Sequence, residues 1–293
     1  MYDDILFPTD GSDGAADTFD HVLDIAATHD ATVHILFVTD TTQTSATRIR
    51  SELLDTLEAE GEEIVAETAA RAEQRDVSTV TEVVQGEPYR EIVEYADSRE
   101  IDLVVMPTHG RQGLERFLLG STTERVVRQA NVPVLTIQPD DDRTIEYPYR
   151  NVLVPTDGSE CANQALALGT DVATTHGAAL HLLSVVAVTS LGVDVRSEVR
   201  TTALEERAND LIEDAEGFAT NAGVDSVSTT VGYGASIHRA ILSYLDDHDI
   251  DLVVMGTHGR TGFDRYVLGS VTEYLVRTSP IPVLTVREPI SEV

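Results

Sequence analysis

Short apolar runs alternate with longer amphipathic stretches along the whole chain. In the first half, Ile5 to Pro8 reads as a short buried strand, and Ser12 is placed to cap a helix reaching about Thr28. "ATVHILFV" predicts a second strand ending near Val38, and a long acidic helix follows over about Ile49 to Gln74. "VSTVTEVV" predicts strand three, Tyr89 to Arg99 a helix, "IDLVVM" strand four, Ser121 to Gln129 a helix and "VPVLTI" strand five. The second half repeats this order with "VLVP", "AALHLLSVV", "VSTTV", "DLVVM" and "IPVLTV". Apolar strands separated by helices argue for a parallel sheet covered on both faces. Right-handed crossovers then make each half a doubly wound, Rossmann-like α/β unit with a five-stranded sheet.

The repetition extends to motifs. "ILFPTDGS" returns as "VLVPTDGS", with Asp10 and Asp157 offset by 147 residues. "PTHGR" returns as "GTHGR" and "LLGSTTERVVR" as "VLGSVTEYLVR", both offset by 149. A nearly constant offset over the whole chain means two copies of one domain. The expected organisation is a first domain over 1–138, a linker over 139–150 rich in proline and charge, and a second domain over 151–293.

Composition changes the picture in three respects. Of 71 charged side chains 51 are acidic, the net charge is −31, and every basic residue is arginine. Such a surface repels itself at low salt and is screened at molar salt, where the Debye length is roughly 3 Å. It resembles the surfaces of proteins from salt-accumulating halophilic archaea, so stability is expected to rise with KCl. No Lys/Arg cluster is available to neutralise phosphates along a backbone, which excludes nucleic acid as the expected partner. The lone Cys161 forms no intrachain disulfide and is read as a small packed side chain; no apolar run is long enough to span a bilayer. A cytoplasmic protein with no membrane partner is the expectation.

Candidate chemistry gathers at the ends of strands one and four. In a doubly wound sheet these strands neighbour each other where strand order reverses, and the ligand crevice opens there. "PTDG" places Pro8, Thr9 and Asp10 in one copy and Pro155, Thr156 and Asp157 in the other at that crevice. Each carboxylate could accept hydrogen bonds from ribose hydroxyls, or serve only a tight Asp-Gly turn. The loop after strand four carries Gly256, Gly259, Gly269 and Ser270 in the second copy, and Gly110, Gly120 and Ser121 in the first. Glycines admit an anion close to backbone N–H groups and permit positive φ, and a helix N-terminus favours phosphate. The alternative is turn glycines with a capping serine. Pro107 stands where the second copy has Gly256. His109 and His258 could touch phosphate or stand as polar loop histidines without a ligand, and Arg111 and Arg260 could reach a terminal phosphate or stay solvated. His34 and His181, inside strand two, are read as packing residues, and Glu124 and Glu273 as first-turn acids that the helix dipole favours. No His, Cys and carboxylate grouping has zinc-site spacing.

The G-x2-G-x9-G-[S/T] loop, the Asp after strand one and the "PVL" of strand five resemble the universal stress protein family over nearly all of both copies. The resemblance implies strand order 3-2-1-4-5 and ATP or another adenine nucleotide between strands one and four; magnesium is expected to assist its binding. It implies that Asp157 meets the ribose and the backbone of Val185 meets adenine. Gly256, Gly259, Gly269, Ser270 and Val271 would line the ribose-phosphate path. The first-copy counterparts are Asp10, Val38, Gly110, Gly120, Ser121 and Thr122. It further implies pairing of the two domains through strand five, and leaves open a homodimer of whole chains. The expected role is a nucleotide-binding stress-response or regulatory module. The alternatives are an ATP-hydrolysing or nucleotide-alpha-hydrolase-like enzyme and an interaction module without nucleotide. Against an enzyme stand the missing G-x4-G-K-[ST], S-G-G-x-D-S and "HIGH" motifs and the absence of lysine. With Pro107 lacking an N–H and fixed near φ −65°, the first site is expected to be the weaker.

Overall fold

Runs such as Ile5–Phe7 and Leu103–Met106 are buried at successive positions, so their side chains find apolar neighbours on both faces. Only a sheet sandwiched between helix layers accommodates that pattern. The computed structural model describes residues 2–42, 47–110, 119–139, 145–187, 195–259 and 268–288. Its contacts divide the chain into two units, Met1–Tyr147 and Pro148–Val293.

Unit 1 runs β1 (Asp4–Pro8), α1 (Asp13–His29), β2 (Thr32–Asp40), α2 (Thr47–Glu73), β3 (Thr79–Gly86), α3 (Pro88–Ser98), β4 (Leu103–Pro107), α4 (Ser121–Gln129) and β5 (Val134–Ile137). Unit 2 runs β6 (Asn151–Pro155), α5 (Glu160–His176), β7 (Ala179–Ala187), α6 (Val195–Asn221), β8 (Val227–Gly234), α7 (Ile237–Asp247), β9 (Leu252–Gly256), α8 (Ser270–Thr278) and β10 (Val283–Val286). Within unit 1 the order is β3-β2-β1-β4-β5, and within unit 2 it is β8-β7-β6-β9-β10. All pairings inside each unit are parallel. The doubly wound α/β fold and its 3-2-1-4-5 order are therefore present twice.

Local signals explain the boundaries. Ser12 and Ser159 cap α1 and α5, accepting from Ala15 N and Ala162 N. α1 ends on Asp30 in the left-handed region (φ 56°) and α5 on Gly177 (φ 65°), the conformation that closes a helix. Pro88 opens α3, where its missing N–H costs nothing. β3 begins later and ends later than the apolar run alone predicts, because it stays in register with β2 as far as Asp40↔Gly86. Phe7 packs on Phe19 at 4.9 Å between ring centres, tying α1 to the sheet.

The strand reversal prepares the site. β1 pairs with β2 along its whole length, to Pro8↔Leu36, but with β4 only at Ile5↔Leu103 and Leu6↔Val104. Beyond Leu6 the two strands part. Unit 2 does the same, with β6 and β9 paired only at Val152↔Leu252 and Leu153↔Val253. A crevice thus opens at the carboxyl ends of the central strands in each unit.

Candidate functional site

In unit 2 the chain leaves β6 through Thr156, whose N–H still donates to Leu183 O at 2.9 Å. Gly158 then turns with φ 70°, which an L side chain resists. The turn is closed by side chains: Gly158 N donates to Thr156 Oγ1 at 3.2 Å and Ser159 N to Asp157 Oδ1 at 2.9 Å. One carboxylate oxygen of Asp157 thus serves the turn. The other faces the loop after β9, where a Cβ on Gly259 would lie 2.6 Å from Oδ2. The aspartate thus builds the Asp-Gly turn with one oxygen and turns the other toward the glycine loop.

The loop is held at both ends. Thr257 N donates to Val286 O at 3.0 Å, Gly269 N to Thr257 O at 2.8 Å, and Thr272 Oγ1 to Gly256 O at 2.8 Å. A Cβ on Gly269 would press on Thr257 O and on His258 Cα, each at 3.3 Å. Gly269 is the cap of α8 and Ser270 its first helical residue, with no side-chain hydrogen bond closing the cap. The serine is therefore not the capping residue, and the first-turn N–H groups of α8 face the loop with the positive end of the helix dipole behind them. Glu273 lies in that first turn, as expected.

Pro155, Thr156, Asp157, Val185, Gly256, His258, Gly259, Gly269, Ser270 and Val271 line one cavity of about 320 Å³. Arg260, and Arg111 in unit 1, lie outside the described residues. The cavity has further walls that sequence reasoning missed: the apolar Leu183, Ile237, Ile241, Met255 and Ala162, and the hydroxyl-bearing Ser159 and Thr272. Ile237 and Ile241 stand one turn apart on α7, a spacing that reads equally well as core, so no signal separated them from packing residues. His258 Nδ1 lies 3.3 Å from Thr257 Oγ1, and its Nε2 lies 3.8 Å from Glu288 Oε2.

Unit 1 repeats the frame. Gly11 turns with φ 71°, Gly11 N donates to Thr9 Oγ1 at 3.2 Å, and Ser12 N to Asp10 Oδ1 at 3.0 Å. A Cβ on Gly110 would overlap Asp10 Oδ2. Thr108 N donates to Ile137 O at 2.8 Å, Gly120 N to Thr108 O at 2.7 Å, and Thr123 Oγ1 to Pro107 O at 2.9 Å. Gly120 caps α4 and Ser121 is its first helical residue, followed by Thr122. Val38, on β2, pairs with Val84 of β3, while Pro8 ends β1 opposite Leu36. His109 Nδ1 lies 3.2 Å from Thr108 Oγ1.

One expectation about the glycines is corrected. Among the described residues the left-handed glycines are Gly11, Gly158, Gly177 and Gly223, and Gly110, Gly120, Gly256, Gly259 and Gly269 are not among them. Gly110 and Gly259 are glycine because a carboxylate occupies the space of a Cβ. Gly256 is glycine because α5 does: its Cβ would lie 2.7 Å from Cys161 Sγ and 2.9 Å from the Cys161 carbonyl carbon and oxygen. Pro107 therefore forfeits no positive-φ conformation, and bulk at this position points at the helix start. The strand-two histidines are buried as expected, but hydrogen-bonded rather than merely packed: His34 to Tyr95 and Asp4, and His181 to Tyr244. Among the described residues, no group of three or more His, Cys, Asp or Glu could hold a metal ion, and no helix is long and apolar enough to cross a membrane.

A doubly wound unit, repeated in tandem, with an aspartate turn facing a glycine loop at the strand reversal, defines the class of protein. The chain belongs to the universal stress protein family: the family model matches residues 1–138 and again 148–287. A universal stress protein of Mycobacterium tuberculosis is 32% identical over 79% of this chain and 78% of its own length. One from Methanocaldococcus jannaschii is 39% identical over 47% of this chain and 83% of its own length. In fold, the crystal structure of a universal stress protein from Archaeoglobus fulgidus is similar with a TM-score of 0.72 and 23% identity, over 99% of this chain and 97% of that one.

Proposed function

We propose that the chain binds an adenine nucleotide, ATP above all, and works as a stress-response or regulatory module rather than as an enzyme of high turnover. The observation that carries this reading is the cavity of unit 2. Its apolar end, formed by Leu183, Val185, Ile237 and Ile241, suits a flat base. In its middle, Asp157 faces Gly259 where ribose hydroxyls would find an acceptor. Its far end is the start of α8, with Gly269, Ser270 and Val271 offering N–H groups to phosphate. The close approaches at Gly259 and Gly269 fit a group that lies along the backbone where side chains would block it. Magnesium assists by offsetting phosphate charge beside a chain of net −31.

Calorimetry in molar KCl tests the reading. ATP with magnesium is expected to bind more tightly than GTP. Asp157→Ala is expected to weaken ATP by about 1.5–3 kcal/mol, the range for hydrogen bonds to a charged group. Equal titration curves for the wild type and the variant would remove Asp157 from the site. Phosphate release from the same samples separates binding from hydrolysis, and little is expected.

A further inference from the structure

At the opposite end of the sheet from the crevice each unit buries a histidine on its second strand, and the two are surrounded by different chemistry. In unit 1, His34 lies between two partners. Its Nε2 is 2.8 Å from Asp4 Oδ1 and its Nδ1 is 3.0 Å from the Tyr95 hydroxyl. The next turn of the chain brings Arg99 over the Tyr95 ring at 5.2 Å, and Arg99 pairs with Glu82 at 3.0 Å. A proton on His34 meets a carboxylate directly.

In unit 2, His181 Nδ1 is 3.1 Å from the Tyr244 hydroxyl, so the tyrosine contact is kept. The residues at the positions of Asp4 and Arg99 change. Asn151 stands at the position of Asp4, and its Nδ2 donates to Asp249 O at 3.1 Å. His248 stands at the position of Arg99. Its ring stacks on Tyr244 at 3.8 Å and an interplanar angle of 8°, and its centre lies 5.9 Å from that of His181. Its Nδ1 donates to Tyr244 O at 3.0 Å. From β8 the register partner of His181 is the neutral Ser228. The Asp251 carboxylate accepts from Arg150 N and Asn151 N, both at 2.9 Å, and Asp247 and Asp249 are exposed to screening water. A proton on His181 thus meets a hydroxyl and a second imidazole.

We propose that the His181–Tyr244–His248 cluster is an acid-sensitive latch: it holds α7 against β7 at neutral pH and releases it in acid, while the His34–Asp4–Tyr95 cluster holds α3 in place throughout. The consequence for the crevice rests on the nucleotide reading above. Tyr244 belongs to the same helix as Ile237 and Ile241, which wall the apolar end of the cavity. Loosening α7 removes that wall from unit 2 alone.

The direction follows from proton linkage. Burial first, and then the neighbouring His248, push His181 below the ordinary histidine value. The unfolded chain then binds the proton more readily than the folded one. The stability contributed by neutral His181 is complete above the unfolded value of about 6.5, and is lost as pH falls through it toward the lower folded value. In unit 1 the Asp4 carboxylate stands 2.8 Å from His34 Nε2, and unit 2 has no counterpart to that contact because Asn151 replaces the aspartate.

Amide hydrogen exchange of the full chain in molar KCl without nucleotide, at about pH 7.5 and about pH 5.5, either side of the ordinary histidine value, reads the latch directly. After correction for intrinsic exchange, α7 is expected to lose protection severalfold more than α3. The double variant Asn151→Asp, His248→Arg, which gives unit 2 the chemistry of unit 1, is expected to equalise the two helices. Equal losses in α3 and α7 of the wild type, or a double variant as acid-sensitive as the wild type, would overturn the proposal. ATP titrations at the same two values read the coupling: the wild type is expected to lose affinity on acidification severalfold more than the double variant, and an equal loss overturns the link to the crevice. Absence of ATP binding at neutral pH would refute the nucleotide reading and leave the exchange comparison to decide the latch.

Discussion

In unit 1 the strand entering the glycine loop ends on Pro107, and in unit 2 it ends on Gly256. Yet the carbonyl of each accepts a threonine hydroxyl from the following helix, at 2.9 Å from Thr123 and 2.8 Å from Thr272. The N–H groups of Thr108 and Thr257 likewise reach the neighbouring strand at 2.8 and 3.0 Å. Proline therefore leaves the loop frame standing, and the difference lies behind it. In unit 2, Cys161 in the first turn of α5 lies against Gly256, and its Sγ donates to Val286 O at 3.2 Å. In unit 1 the equivalent helix residue is Gly14, whose Cβ would lie 2.9 Å from Pro139 Cγ. Pro139 in turn occupies the position of Glu288, which faces His258. Cys161, Gly256 and Glu288 exchange for Gly14, Pro107 and Pro139. Two crevices with one hydrogen-bond frame are thus backed by two different packings, and Pro107 lacks the N–H that Gly256 carries.

The strongest way to separate the two sites is to fill the space opposite each aspartate. Gly259→Val puts a branched side chain where Asp157 Oδ2 now sits, and Gly110→Val does so against Asp10. With the carboxylate displaced and the loop pushed outward, the affected site is expected to lose more than roughly a hundredfold in ATP affinity, beyond about 2.7 kcal/mol. Calorimetry on the full chain should show the tighter isotherm vanish with Gly259→Val and survive Gly110→Val. The opposite pattern would make unit 1 the tighter site and reverse the comparison.

A smaller effect tests the packing behind the loop. Gly256→Ala introduces a Cβ that cannot coexist with Cys161 in its present place. Overpacking of this kind costs typically 1–3 kcal/mol, and part of it is expected to appear as a roughly tenfold loss of affinity in unit 2. Adding Cys161→Gly removes the thiol and its hold on Val286, lets the helix start move as the Gly14 side of unit 1 allows, and should recover part of the loss. If the double variant binds no better than Gly256→Ala alone, the thiol is not what couples helix and strand. The backbone contact at 2.9 Å would then be the whole of the constraint.

These contacts also mark where the sequence stopped being legible. The fold was readable because the signals are local and occur twice: alternation of apolar strands and helices, serine caps at Ser12 and Ser159, and the start of α4 and α8 at Ser121 and Ser270. The Asp-Gly turn was readable for the same reason. The purpose of the loop glycines was not, because spacing says nothing of what lies opposite. Gly259 answers to Asp157, and Gly256 to Cys161, residues about a hundred positions away in sequence. Ile237 and Ile241 escaped because an apolar residue lining a cavity has the periodicity of one lining a core. His181 was rightly expected to be buried, but its partners Tyr244 and His248 come from another element, and only the tertiary structure joins them.

The smallest expected difference is between the two serine caps, and it serves as the control for the rest. Ser12 Oγ accepts from Ala15 N at 3.3 Å and Ser159 Oγ from Ala162 N at 3.2 Å, so the two caps are the same interaction made twice. Replacing either with alanine leaves first-turn N–H groups of α1 or α5 without that acceptor, and costs about 1 kcal/mol of stability. Because the geometry matches, Ser12→Ala and Ser159→Ala should lower the stability of their own units by equal amounts in denaturant titrations followed by hydrogen exchange. They should part company in ligand binding. Ser159 also lines the unit-2 cavity, and its N–H holds Asp157 Oδ1, but that N–H belongs to the backbone and survives the substitution. The aspartate stays oriented, and ATP affinity at unit 2 is expected to change less than threefold, within about 0.65 kcal/mol. A loss in affinity as large as that of Gly256→Ala would mean that the serine hydroxyl itself contacts the nucleotide. The polar end of the crevice would then extend from the glycine loop onto the start of α5, where Cys161 already ties helix to strand.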